Sequence, residues 1–168
     1  MKQLIVLALI SLSLFACTSS ADKKEKANLA IAQKYMQAVE TKNVALMDSL
    51  LADNYIGYGP SVADSTNKQQ AILNWKDNVE NLYESIEYTH HQEIATTVKE
   101  GRAKGDWVLN WAFLTIKYKD GRGPVNLWVN VVYVIENGKI KMSRTFYNEA
   151  DALRQLRYNL DPPQVSTY

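Results

Sequence analysis

The sequence is poor in the residues that build disulfide and metal frameworks. Its 168 residues include one cysteine, Cys17, and two histidines, His90 and His91. A single cysteine cannot form an intramolecular disulfide, and protein zinc sites draw several ligands from Cys and His. We therefore predict neither a metal site nor a cofactor.

The chain also lacks an excess of charge of either sign. It carries 19 Lys and Arg against 18 Asp and Glu, with no long block of either kind. Nucleic-acid binding depends on a basic surface, so we predict no nucleic-acid partner. With 46% apolar and 22% charged residues, the chain has the length and composition of one globular domain.

The first 17 residues have the layout of a secretory signal. Lys2 precedes an apolar run, residues 4–16, that is too short to span a bilayer comfortably, because a spanning helix needs about 20 apolar residues. The segment Leu14-Phe15-Ala16-Cys17 resembles the lipobox of bacterial lipoproteins, which implies cleavage before Cys17 and acylation of its thiol. The alternative is an ordinary signal peptide in which the cysteine is incidental.

This resemblance sets expectations for domain order and location. We predict a signal peptide at 1–16, a charged tether at 17–26, one folded domain at 27–157 and a C-terminal tail at 158–168. The lipid anchor on Cys17 implies an exported protein held at a bacterial membrane, on the periplasmic side or at the cell surface. Thr18 offers no acidic retention signal, which favours the outer membrane.

The folded domain begins with helices and continues with strands. Apolar residues recur at helical spacing from Ala27, from Val44 after the capping residue Asn43, and after the capping box at 66–69. Strands follow at 86–98, 106–118, 125–136 and 139–147, and Asn148 begins a last short helix. This order predicts an α+β fold in which helices cover one face of a curved, mixed or antiparallel sheet.

The Asn137-Gly138 turn predicts which residues share each face of the last hairpin. With a two-residue turn, Val131 faces Arg144, so Arg144 lies on the apolar inner face. The other face carries Trp128, Asn130 and Tyr147, which we predict to form a homodimer interface. The alternative is an ordinary amphipathic sheet surface.

The element order, with Asn137-Gly138-Lys139-Ile140 before the last strand, resembles the nuclear transport factor 2-like superfamily. It is most similar to the SnoaL-like group, which includes polyketide cyclases and ketosteroid isomerases. The resemblance implies a cone-shaped half-barrel closed by three N-terminal helices. The interior of such a cone is either a ligand pocket or a packed core.

The residues expected to catalyse proton transfer in these relatives are replaced here. Residues 33–54 resemble the ketosteroid isomerases without a gap, which puts Tyr35 at the oxyanion tyrosine. The same comparison puts Gly59 at the base and Val131 at the oxyanion aspartate. Asn148 falls where the cyclases have an acid–base aspartate, and an amide does not exchange a proton near neutral pH. The resemblance therefore favours a protein that is not an enzyme.

The candidate ligand contacts are Tyr35, Tyr133, Arg144, Asn148, Trp111 and His90. Tyr35 is alternatively a core residue, and Asn148 is alternatively only a helix cap. A guanidinium on the apolar face needs a carboxylate, carbonyls or a ligand anion. The alternative for Arg144 is therefore a structural pair with Glu149 or Asp151.

Two further candidates depend on which way their strands face. Trp111 shares a strand face with Trp107 and Phe113, and that face forms either an aromatic wall for a planar ligand or a part of the core. His90 shares a face with apolar residues, so its imidazole is predicted to point inward, where it could act as a base, while His91 points out.

These observations predict a lipid-anchored SnoaL-like domain that binds a small apolar or amphipathic molecule without chemistry. A second hypothesis is an isomerase, cyclase or hydratase that uses Tyr35 with His90 or another acid. A third is an interaction module with a filled core, which dimerises through the outer sheet face.

Overall fold

The computed structural model describes residues 20–160. The predicted signal peptide, the lipidation site Cys17 and residues 161–168 lie outside this range. The helices are α1 (Ser20–Glu40), α2 (Val44–Leu50), α3 (Lys68–Asp77), which continues into a π-helical turn (Asn78–Leu82), and α4 (Glu149–Gln155). The strands are β1 (Leu51–Tyr58), β2 (Ser65–Asn67), β3 (Tyr83–Val98), β4 (Gly105–Tyr118), β5 (Val125–Glu136) and β6 (Lys139–Tyr147).

The described strands form one curved sheet with the order β2-β1-β6-β5-β4-β3. Neighbours are antiparallel except β1 and β6, which are parallel. Helix α1 packs on β3, β4 and β6, and α3 packs on β1, so these helices cover the inner face of the sheet. This confirms the predicted α+β fold. The boundaries expected for β4, β5 and β6 agree with the structure to within one residue.

Helix α1 begins earlier than its apolar pattern indicates. The prediction placed its start at Ala27, whereas the helix begins at Ser20 and includes most of the residues expected to form a tether. Alanine, lysine and glutamate are good helix formers even without an apolar stripe. Lys24 also forms an ion pair of 2.7 Å with Asp106 on β4, which fixes this first part of the helix to the sheet. No helix within residues 20–160 is long and apolar enough to cross a membrane.

The β5–β6 hairpin contains a bulge that the Asn137-Gly138 turn does not predict. Asn137 and Gly138 both have positive φ, as the predicted two-residue turn requires, and Ile135 pairs with Ile140. The next pair is Val134 with Met142, so Lys141 is an extra residue on β6. Because side chains alternate along a strand, one extra residue reverses every side chain that follows.

Because of the bulge, the predicted inner and outer faces are right for β5 and wrong for most of β6. On β5, Val131 and Tyr133 face inward and Trp128 faces outward, as expected. On β6 the assignment is wrong after Ile140, because Tyr147 lines the interior and Arg144 is exposed on the outer face.

A second bulge, on β3, places His90 on the outer face of the sheet. Thr89 pairs with Phe113 and Gln92 pairs with Trp111, so two residues of β3 lie opposite one residue of β4. His90 has a φ of 54°, is exposed, and its ring packs 6.2 Å from the ring centroids of both Phe113 and Trp128. The inward position predicted for His90 is therefore wrong, because the bulge breaks the alternation on which it was based.

Candidate functional site

A cavity of about 690 Å³ lies between the inner face of the sheet, α1 and α3. This volume is typical of small-molecule sites, which occupy roughly 300–1,000 Å³. Eight of the nine tyrosines within residues 20–160 contribute to its lining: Tyr35, Tyr55, Tyr58, Tyr83, Tyr88, Tyr118, Tyr133 and Tyr147. Apolar side chains of β4 and β5, including Leu114, Leu127, Val129 and Val131, fill the space between the rings.

Tyr35 of α1 and Tyr133 of β5 meet in the cavity wall. Their rings pack edge to face, with centroids 6.2 Å apart, and both side chains are buried. Burial raises the pKa of both phenols, although a hydrogen bond from the Trp75 indole opposes the effect at Tyr35. Both groups therefore remain neutral hydroxyls at physiological pH, able to donate a hydrogen bond but not to act as bases.

Tyr55 and Ser143 form a buried hydroxyl pair that sequence reasoning missed. The Tyr55 Oη and Ser143 Oγ atoms are 2.7 Å apart across the parallel β1–β6 pair. Gly57 makes this possible, because a Cβ at residue 57 would lie 2.5 Å from the Tyr55 Oη. The sequence signal for this pair is the spacing of two residues between Tyr55 and Gly57, which puts both on one face of a strand.

Aromatic residues from three elements cluster elsewhere in the cavity wall. Tyr83 of β3 lies 5.7 Å from Tyr118 of β4 and 6.3 Å from Trp75 of α3, measured between ring centroids. Burial, followed by the proximity of Tyr118 and Tyr147, raises the pKa of Tyr83 to about 12. This part of the wall is therefore also neutral and aromatic.

The cavity lining contains one carboxylate, that of Asp64 in the loop between β1 and β2, and no Lys, Arg or His among the described residues. Asp64 is exposed, so it lies at the mouth. Its side chain folds against Gly59, where an added Cβ would be 2.8 Å from the Asp64 Oδ2. Deeper in the cavity, the described residues of the lining include no acid. At Val131, which the resemblance matches to the oxyanion aspartate, the wall is apolar and buried.

Three of the predicted ligand contacts lie outside the cavity. Trp111 is 38% exposed on the outer sheet face, and His90 lies on the same face. The Arg144 guanidinium lies 4.5 Å from the centroid of the Tyr58 ring, so a cation–π contact takes the place of the predicted carboxylate pair. All three corrections concern the face of the sheet to which a side chain points. Bulges and sheet curvature determine that face, and the sequence pattern did not predict it.

Asn148 caps a helix, as its alternative interpretation predicted. Its side-chain oxygen accepts a hydrogen bond of 3.1 Å from the backbone N–H of Asp151 at the start of α4. The residue is exposed and is not among those that line the cavity. Of the six candidates, the structure thus places Tyr35 and Tyr133 in the cavity wall. No group of three or more His, Cys, Asp or Glu side chains in residues 20–160 is arranged to bind a metal ion.

A curved six-stranded sheet closed by helices around a cavity defines a nuclear transport factor 2-like domain. The SnoaL-like domain model matches residues 32–142, more than half of the chain. The chain belongs to the SnoaL-like domain family.

Solved structures with this fold have very different sequences. An epoxide hydrolase of the LEH-like type from M. tuberculosis is 15% identical, with a TM-score of 0.64 over 80% of this chain and 87% of that one. A phenazine biosynthesis-related protein from Pseudomonas aeruginosa is 14% identical, with a TM-score of 0.67 over 95% and 99% of the two chains. A nuclear transport factor 2-like protein of unknown function from Burkholderia pseudomallei is 12% identical, with a TM-score of 0.60 over 79% and 98%. No curated protein matches the chain.

Proposed function

We propose that the chain binds a small apolar or amphipathic molecule in the cone cavity and does not transform it. The observation that carries the proposal is the lining, which combines aromatic rings with neutral hydroxyls around about 690 Å³. Rings supply a large apolar contact area, and a few hydroxyls fix the orientation of the ligand. The deep phenols Tyr35 and Tyr133 donate hydrogen bonds but do not accept a proton from a substrate, because burial raises their pKa values.

A pair of matched variants tests ligand binding in the cavity. Thr145 lines the cavity from β6, whereas Thr115 lies on β4 and hydrogen bonds to Asn126 on the outer face. We expect a panel of hydrophobic small molecules to include binders, detected by thermal shift and native mass spectrometry. Thr145→Phe should abolish this binding and Thr115→Phe should preserve it. A panel without binders, or binding that survives in Thr145→Phe, would count against the proposal.

A second candidate function is an isomerase, cyclase or hydratase, favoured by the carboxylate of Asp64 at the mouth. Acid–base catalysis requires a titratable group within reach of the reacting proton, and Asp64 is the acidic side chain in the lining. Asp64→Asn distinguishes the two functions. Turnover of a bound molecule that disappears in this variant while binding persists would establish the enzyme, and binding without turnover in the unmodified chain would exclude it.

We also propose that two copies associate through the outer sheet face. Trp128 is 64% exposed and Phe146 is 47% exposed, with Asn130 between them in the sheet. A second copy would cover these rings, whereas Tyr147 lines the cavity and is no longer part of the interface. Light scattering of Trp128→Arg should report a monomer. Val62→Arg, which changes a fully exposed loop residue, should leave the mass unchanged. A monomeric unmodified chain would refute the interface.

The lipid anchor remains part of the proposal. The sequence from Lys2 to Cys17 supports export and acylation, with the outer membrane favoured. In a bacterial host, the chain should incorporate labelled fatty acid and fractionate with membranes, and Cys17→Ser should lose both properties. Membrane association that persists in Cys17→Ser would contradict acylation at this residue.

A further inference from the structure

The charges around the cavity restrict the class of ligand further than the apolar lining of the cavity does by itself. Among the described residues, the lining holds one carboxylate and no basic side chain. A ligand anion would therefore enter the cavity without a partner of opposite charge, which is costly away from water. A neutral ligand meets no such penalty, and a cation can pair with the Asp64 carboxylate.

Two further carboxylates, those of Glu40 and Glu93, lie next to residues that line the cavity. The Glu40 carboxylate accepts a hydrogen bond of 2.8 Å from the backbone N–H of Tyr88. The Glu93 carboxylate accepts hydrogen bonds from the amides of Gln33, at 2.6 Å, and Asn110, at 3.4 Å. All these donors are neutral groups. In the described part of the chain, no basic side chain forms an ion pair with either carboxylate.

Carboxylates lie close enough to three phenols of the lining to oppose their ionisation. After burial, the proximity of Glu40 raises the pKa of Tyr88, and the proximity of Glu93 contributes at Tyr133. Burial, then Glu149, and to a smaller extent Asp64, raise the pKa of Tyr147. A field that opposes negative charge at three separate positions favours positive charge in the space between them.

Two guanidinium groups lie against rings of the lining: that of Arg144, exposed on the outer face of the sheet over Tyr58, and that of Arg122, whose charge a carboxylate already neutralises. The Arg122 guanidinium lies 5.8 Å from the centroid of the Tyr118 ring, and it is paired with Asp120 at 2.7 Å. Its charge therefore does little to offset the field of the unpaired carboxylates.

The rings themselves are suited to a cation. The face of an aromatic ring carries partial negative charge, and cages of such rings bind ammonium groups in proteins. Seven tyrosines other than Tyr58, together with Trp75, surround this cavity. Their hydroxyls are neutral at physiological pH, so the rings attract a cation without themselves bearing a charge.

We propose that the cavity selects an amphipathic ligand that carries a positive charge, such as an aromatic amine or a quaternary ammonium compound. The apolar body of the ligand packs against Tyr35 and Tyr133, and its cation lies toward the mouth, near Asp64. This inference rests on the proposed binding function and names the ligand class for the same cavity.

Three probes with one apolar body test the inference: naphthylmethylammonium, naphthylmethanol and naphthoate. Calorimetry at low and at physiological salt gives the dissociation constant of each probe from the full chain. We expect the ammonium to bind about tenfold more tightly than the alcohol, and the carboxylate to bind most weakly. Asp64→Asn should weaken the ammonium about threefold and leave the alcohol unchanged. Glu87→Gln, which removes an exposed carboxylate from the outer side of β3, should change neither.

The outcomes separate this inference from the proposal on which it rests. If the alcohol binds as tightly as the ammonium, and Thr145→Phe abolishes both, the cavity binds ligands but does not select a cation, and the inference is overturned alone. If none of the three probes binds while other molecules of the hydrophobic panel do, the inference fails alone. If the whole panel also fails to bind, the inference and the proposed function both fail. If the preference for the ammonium over the alcohol is the same in Asp64→Asn as in the unmodified chain, the cation does not lie near Asp64 at the mouth.

Discussion

Replacement of Gly57 by alanine should destabilise the domain through Tyr55. The new Cβ would lie 2.5 Å from the Tyr55 Oη, whereas ordinary contact begins at about 3.4 Å, so the phenol must retreat by about 1 Å. Its hydrogen bond to Ser143, now 2.7 Å long, is then distorted or lost. Overpacking of this kind costs about 1–3 kcal/mol. Alanine recovers about 0.4–1 kcal/mol by restricting the unfolded chain, so we expect a net loss of about 1–2 kcal/mol.

The same substitution in a Tyr55→Phe background isolates the cause of this loss of stability. In Tyr55→Phe the conflicting oxygen is absent, and the nearest ring atom, Cζ, would be 3.1 Å from the added Cβ. A shift of a few tenths of an ångström relieves that contact. Gly57→Ala should therefore cost at least about 1 kcal/mol less in Tyr55→Phe than in the unmodified chain. Urea unfolding followed by tryptophan fluorescence measures the four species of this cycle. Equal costs in both backgrounds would refute the steric argument.

Further predictions concern charge, burial and capping. Burial raises the pKa of Tyr83 from 10.0 to about 12, and that of Tyr133 well above 10.0, so the unfolded chain releases these protons first. Below pH 10 the free energy of unfolding should not depend on these groups. Above pH 10 it should fall by up to about 1.4 kcal/mol per pH unit for each tyrosine. Denaturant titrations measure this dependence, and a flat profile between pH 10 and 12 would contradict it. Within residues 20–160 the buried Asn110 Oδ1 has no hydrogen-bond partner, and the Asn110 amide donates one long bond of 3.4 Å to Glu93. Asn110→Leu should therefore raise the free energy of unfolding by about 1 kcal/mol, and a lower melting temperature would show that the polar contacts of this side chain outweigh the unpaired oxygen. Asn148→Ala should cost about 1 kcal/mol by removing a helix cap and leave ligand affinity unchanged, whereas weaker binding with unchanged stability would restore Asn148 as a ligand contact.

The elements of this fold were predictable because their signals are local. The Asn137-Gly138 turn, the caps at Asn43 and Asn148 and the alternation along β5 each act within a few residues, and the structure confirms them. Helix α1 is the exception. Its first turns have no apolar stripe to predict them, and they gain support from the distant ion pair of Lys24 with Asp106.

The candidate site was predictable only where no bulge intervened. Tyr35 and Tyr133 could be placed inward because their elements are regular as far as those residues. Arg144, Tyr147 and His90 follow bulges or lie within them, and a single inserted residue reverses the face of each side chain beyond it.

The order of helices and strands, the inner face of β5 and the caps of the short helices were contained in the amino-acid sequence alone, since each depends on spacing along the chain. The tertiary structure decided the contents of the cavity. Tyrosines from α1, β1, β3, β4, β5 and β6 converge there, Gly57 makes room for Tyr55, and Asp64 closes against Gly59 at the mouth. Such convergence depends on where bulges fall and how the sheet curves, and these are set by contacts between residues far apart in the sequence.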